Sequence, residues 1–308
     1  MGVERTRKRL IISDRMHTSQ DSRVVRIVAL IAVVFATLPN LAFAGAWTLA
    51  RGALYDRISG NGYNSDEQFD LDGSREDLPL DGEFKDVNVI NYLEFGVTDR
   101  FTAFGSITVK HLESDNLVRT TKTSGIGDAD LGLRGRIVQG KQGVLSAQAL
   151  ARIPTGYDEE DAIPLGSGEP EYEGRLLYGR SLWPLIPGYC GAEAGYRWRT
   201  GSPEDEFRYI AEIGSDLGKA FYFRTKLDGI MGMETGTQLD PSGNPTVRES
   251  YDLGTLYATV GRRFGTVSLE LEYAPSIYGT TTSAGSNLSL AVSFALTGLL
   301  GAQAPEGN

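Results

Sequence analysis

The chain has 308 residues, 41% of them hydrophobic, with 38 glycines, a single cysteine and a formal net charge of −10. So large an acidic excess argues against a nucleic-acid partner, because phosphate binding runs on Lys and Arg. One cysteine rules out an internal disulfide, and no run after residue 45 approaches the ~20 apolar residues of a spanning helix.

The N-terminus has the pattern of a cleaved export signal. Arg23 and Arg26 precede an apolar run, Ile27 to Leu38; Pro39 and Asn40 break it, and Ala42-Phe43-Ala44 offers small residues for cleavage after Ala44. Residues 1–15 are long and basic for such a leader, which makes Met16 an alternative start. Loss of residues 1–44 removes 7 basic and 3 acidic residues and leaves a net charge of −14.

The rest is rich in Gly and Tyr and alternates in polarity, which predicts an all-β chain. Trp47 to about Gly60 begins as a ragged strand, with Trp47 and Tyr55 expected as membrane-interface anchors. A polar, acidic segment, residues 61–85, follows. Residues 86–97 alternate Val87, Val89, Leu93 and Phe95 with Asn88, Tyr92 and Glu94, turn at Thr98-Asp99-Arg100, and return as 101–111. A polar loop is expected over 112–124.

Gly125 to Val138 gives the clearest pattern. Asp128, Asp130, Arg134 and Arg136 share one face; Ala129, Leu131, Leu133 and Ile137 share the other. Such a strand suits either a soluble sandwich or a membrane barrel with charges turned to the lumen. The later strands repeat the theme: 145–153 with Arg152, 171–182 with Glu173 and Arg175, and 189–199 with Glu193, Arg197 and Arg199. Next come 207–217 with Arg208 and Glu212, and 221–233 with Arg224, Lys226 and Asp228. The last are 250–261, 266–276 with Glu270 and Glu272, and 287–296. Cys190 falls among the apolar positions and reads as a small filler.

Twelve strands result, joined alternately by short turns and long polar loops. That alternation belongs to a transmembrane antiparallel up-and-down β-barrel, with both termini on the short-turn, periplasmic side and the acidic loops facing outward. The barrel is expected over residues 45–296, with a tail over 297–308.

Several segments are also similar to the outer-membrane proteins grouped as "MetA-pathway of phenol degradation" transporter-like proteins: FGVTDRF at 95–101, GIGDADLGLRGRI at 125–137, IPTG at 153–156 and LGSGEPEYEGRLLYGRSL at 165–182. The resemblance covers most of residues 47–296. It implies an outer-membrane channel for small organic solutes, aromatic ones included, and transfers no catalytic residue. One departure is that the best terminal aromatic, Phe294, is followed by 14 residues.

The sequence offers little catalytic chemistry. His111 is the only histidine beyond residue 44, and with Ser106 or Asp115 it is the sole start of a nucleophile–base pair. No catalytic residue is assigned. Asp70, Asp72, Ser74 and Asp77 could ligate Ca²⁺, but their spacing does not match an EF-hand and a solvated loop is preferred. No metal and no cofactor is expected. The charged lumen set is expected to line a solute pathway; the competing reading is a lumen closed by ion pairs. The expected partners are outer-membrane lipid, lipopolysaccharide and a small-molecule solute, with the oligomeric state left open. Three functions follow, in order of preference: a passive channel, a structural or adhesive barrel with a plugged lumen, and an outer-membrane enzyme.

Overall fold

The computed structural model describes residues 45–158, 160–201, 204–233 and 250–297. The export signal, the loop over 234–249 and most of the tail lie outside them. In chain order the strands are β1 (Leu54–Ser65), β2 (Glu67–Phe69), β3 (Arg75–Asp77), β4 (Glu83–Thr98), β5 (Phe101–Asp115), β6 (Thr120–Ile126), β7 (Ala129–Gly140), β8 (Gly143–Ile153), β9 (Glu171–Ser181), β10 (Gly188–Arg199), β11 (Glu206–Leu217), β12 (Phe221–Gly232), β13 (Asp252–Phe264), β14 (Val267–Thr280), β15 (Thr282–Ser283) and β16 (Ser286–Leu296).

Twelve of these form the wall. Each pairs antiparallel with the next, and β1 pairs with both β4 and β16, so the sheet closes on itself. Closure leaves no unpaired edge, the one arrangement besides a helix that satisfies every backbone group inside a bilayer. The register keeps like faces together: Asp130 lies opposite Arg152, and Leu131 opposite Ala151. Large apolar side chains therefore collect on the outside, with Leu131 58%, Leu271 52% and Leu290 67% exposed. No water-soluble fold presents such a continuous apolar belt; lipid is its natural solvent. The fold is a transmembrane barrel.

Four expectations need correction. The first strand begins at Leu54, and Trp47 lies before it. The segment 61–85 is partly ordered: β1 runs to Ser65, β4 starts at Glu83, and β2 and β3 join β15 in a small sheet at the long-loop end. Residues 112–124 form most of a hairpin, because β5 continues to Asp115 and β6 pairs back along it. The Gly125–Val138 strand is consequently broken: β6 ends at Ile126 and β7 resumes at Ala129. Polar composition hid these pieces, since strands that rise above a membrane need no apolar face.

Candidate functional site

The inward faces of the wall strands carry the charges, and they are paired. Arg152 holds Asp130 through two bonds of 2.8 and 3.0 Å. Arg197 reaches Glu171 at 3.1 Å and Glu173 at 2.8 Å. Arg175 joins Glu173 and Glu193, both at 2.7 Å. Arg199 bridges Glu171 and Glu206, and Arg208 approaches Glu206 at 3.6 Å. On the neighbouring strands a second group forms around Arg224, which touches Glu212, Glu270 and Glu272. Arg57 joins it through Glu270 at 2.9 Å, while the Tyr222 hydroxyl donates to Glu270 at 2.6 Å. Lys226 meets Asp228 at 3.2 Å and sits 4.0 Å above the Tyr257 ring. Buried charges need such partners, since desolvation costs several kcal/mol per ion.

Arg134 and Glu94 form a third pair at 3.1 Å, bonded also by the Tyr92 hydroxyl, which donates to Glu94 at 2.5 Å. Of the residues singled out from sequence, two stand apart from these ion pairs. Arg136 is half-buried near the β7–β8 turn and bonds Gln139. Asp128 falls in the break between β6 and β7 and accepts from the Tyr157 hydroxyl at 2.6 Å. Arg57, Glu94, Lys110, Glu171 and Glu206 were left out of the set. Glu94, Lys110 and Glu171 sit on the polar faces of strands read from sequence, so alternation alone could have added them; Arg57 lies in the ragged first strand and Glu206 in a segment expected to be a loop.

The short-turn end is occupied by the chain itself. Residues 45–53 run across it before β1 begins. The Ser146 hydroxyl donates to the Ala46 carbonyl at 2.6 Å, and Arg134 Nη1 donates to that of Trp47 at 3.2 Å. The Leu49 amide donates to Thr102 Oγ1 at 2.8 Å, and the Arg51 amide to Asp99 Oδ1 at 2.9 Å. Ala46 packs with Val144 and Leu177, and Trp47 packs against them. Gly179 makes room for the Trp47 ring: a Cβ there would fall 2.2 Å from it. The expectation that Trp47 and Tyr55 anchor the membrane interface is thus overturned for both. Trp47 lies against inward residues, edge-on to Tyr189 at 6.2 Å, and Tyr55 contacts the ring of Tyr92, 6.5 Å away. A short apolar stretch beside a strand gives no periodicity by which sequence could distinguish lipid from lumen.

The long-loop end is closed differently. Leu78, Phe84, Leu112, Ile163 and Leu165 form a buried cluster, with Tyr63 and Tyr157 against it. Ile163 and Leu165 come from the acidic loop expected to face outward, so that loop folds partly inward. It docks on the strand break: Thr155 Oγ1 donates to the carbonyls of Ile126 (2.9 Å) and Gly127 (3.1 Å), and a Cβ on Gly127 would lie 3.1 Å from the Leu165 carbonyl oxygen.

The remaining candidates are plainly placed. His111 is exposed on the outward side of β5 and bonds Ser124 Oγ at 2.6 Å. Asp70 Oδ1 accepts the amides of Asp72 and Ser74. Among the described residues no group of three His, Cys, Asp or Glu side chains could hold a metal ion.

No family model and no curated protein sequence matches the chain. Solved structures do. The chain is similar to the COG4313 outer membrane channel from Pseudomonas putida F1, with a TM-score of 0.65 and 15% identity over 83% of this chain and 100% of that one. The fold is that of an outer-membrane β-barrel. The NanC porin is also similar, at a TM-score of 0.50 and 9% identity over 78% of this chain and 100% of that one. At such identities the architecture is what is shared.

Proposed function

We propose that the protein is a bacterial outer-membrane channel for passive passage of small organic solutes, reached through export and loss of residues 1–44. The observation that carries this reading is the N-terminal segment. It obstructs the short-turn end without being part of the wall, and it is held by single hydrogen bonds, by two backbone bonds to Gly96 and by the packing of Ala46 and Trp47 on Val144 and Leu177. A barrel serving only as a structural post could fill its interior from its own strands. A segment laid across the opening is instead removable without breaking the ladder. The two similar structures bear the names channel and porin, which agrees with this. The resemblance to the phenol-degradation transporter-like family supports aromatic compounds among the solutes.

The lumen's near balance of paired charges opposes strong selection of net anions or cations. Neutral polar-apolar molecules are the solutes such a wall rejects least. The structural reading rests on the same dense pairing, taken as a seal. Enzymatic activity is the weakest reading, because His111, the only histidine among the described residues, points away from the lumen. Conductance of the folded protein in planar bilayers, with and without residues 45–52, decides between channel and post. The channel reading expects small conductance from the intact form and a rise of several fold on truncation. Silent truncated barrels, folded by their heat-modifiable gel migration, would sink it.

A further inference from the structure

We infer that Lys110, under the cap at the long-loop end, is the anchor of a solute site for small uncharged organic molecules that carry an acceptor oxygen on an apolar body. This rests on the channel reading and specifies its substrate class. Lys110 shares the inward face of β5 with Thr102, Phe104 and Leu112, all buried. In register it lies between Asn88 on β4 and Gly125 on β6. Its stem runs along Gly127, where a Cβ would fall 3.3 Å from Lys110 Cε.

Glu206 Oε2, Arg208 Nε and Glu212 Oε1 are buried without a hydrogen-bond partner, but each of these residues stands in an ion pair; Lys110 stands in none. Among the described residues its ammonium makes no hydrogen bond and no ion pair. The charges that face it are Asp86, Asp128 and Arg152. Each is engaged elsewhere: Asp86 accepts from Asn88 Nδ2 at 2.9 Å, Asp128 from Tyr157, and Arg152 from two sides grips Asp130. Lys110 is half-buried, and its ammonium faces the lumen without a protein acceptor. Its hydrogen bonds go to water or to an acceptor oxygen on a visiting molecule.

The surroundings define the visitor. Two residues along the same face begins the apolar roof of Leu112, Phe84 and Leu165, with the Tyr157 and Tyr63 rings beside it. The roof itself is closed, but the half-buried Tyr157 and Tyr63 rings give an apolar body a face to lie against. A carboxylate is not welcome, because Asp86 and Asp128 already outweigh Lys110, Arg152 being spent on Asp130. A neutral alcohol, phenol or aldehyde satisfies the ammonium without adding to that negative charge.

The probes are benzyl alcohol, toluene and benzoate, measured by equilibrium dialysis against the full mature protein in detergent. Because dialysis reads binding and not flux, a silent channel with an intact site remains distinguishable from an absent site. Benzyl alcohol should bind about tenfold more tightly than toluene, the worth of one charge-assisted hydrogen bond. Lys110→Met should reduce that ratio to near one, and Lys110→Arg should keep most of it. In the unmodified protein, benzyl alcohol and not toluene should slow acylation of Lys110 by acetic anhydride, read by peptide mass spectrometry; this arm needs no variant to fold. Benzoate binding more tightly than benzyl alcohol, a ratio unchanged by Lys110→Met, or acylation indifferent to benzyl alcohol would each overturn the assignment.

Discussion

The two ends of this barrel are both obstructed, by opposite means. At the short-turn end residues 45–53 are tied mainly by backbone groups to Ser146, Arg134, Thr102, Asp99 and Gly96, one bond at a time, with only the small packing of Ala46 and Trp47 on Val144 and Leu177 beside them. At the long-loop end Leu78, Phe84, Leu112, Ile163 and Leu165 exclude water together. Such hydrogen bonds are each worth a net of only about 1 kcal/mol, because water offers a substitute once the segment leaves. Burial of each large apolar side chain contributes about 1.5–3 kcal/mol and is lost only when the cluster separates. The first closure can come away piecemeal. The second opens as a unit or not at all. A channel arranged so has one labile barrier and one cooperative one.

The largest test of that contrast is removal of residues 45–52. It takes away the whole labile barrier and should give the greatest rise in conductance, with the gel migration of the folded barrel unchanged. If deletion of the segment prevented folding, it would be part of the barrel's support and the contrast would fail.

Next in size is Arg134→Met. Arg134 serves two structures, because it pairs with Glu94 and also holds the Trp47 carbonyl. Its loss leaves Glu94, only 6% exposed, without its cation. Breaking a buried pair from one side costs about 3–5 kcal/mol. The temperature at which the folded gel band converts to the unfolded one should fall. Adding Glu94→Gln should restore part of it; no recovery in the double variant would show that the pair does not supply the stability.

How far this could be read from residues alone differs between wall and closures. Asp128, Asp130, Arg134 and Arg136 alternate with Ala129, Leu131, Leu133 and Ile137, and a period of two is a local property that any window of ten residues displays. The wall was legible for that reason, including the even strand count. The closures were not. Arg134 meets Glu94 from a strand two places away in the ring, a contact that exists only after the sheet has curled. Ile163 and Leu165 stand in a loop whose Asp158, Asp161 and Glu169 announce solvent, and two apolar residues around Pro164 have no period. The break at Gly127 was invisible because glycine is compatible with strand, turn and close approach alike.

Smaller again is Leu112→Ala. Leu112 is fully buried in the cap, and truncation of such a leucine costs about 2–5 kcal/mol, depending on how far the site collapses. Most of this should appear as local opening. Limited proteolysis of vesicle-inserted protein should cut within residues 154–170 faster, while conductance stays low because the other end is still blocked. A conductance rise equal to that of the truncation would mean that the cap, and not the N-terminal segment, is the principal barrier.

The smallest effect is expected from Ser146→Ala. It removes the hydroxyl that donates to the Ala46 carbonyl at 2.6 Å in a position with no exposure. One such bond is worth about 1 kcal/mol, or roughly a fivefold change in an opening equilibrium. The open time of single channels should lengthen by about that factor and no more. Thr102→Val removes a second tether, to the Leu49 amide, on a strand two places away in the ring. If the tethers act separately, the two effects multiply in the double variant. If either substitution alone reproduces the full truncation, the segment is held as a unit. The two ends would then differ in chemistry but not in cooperativity.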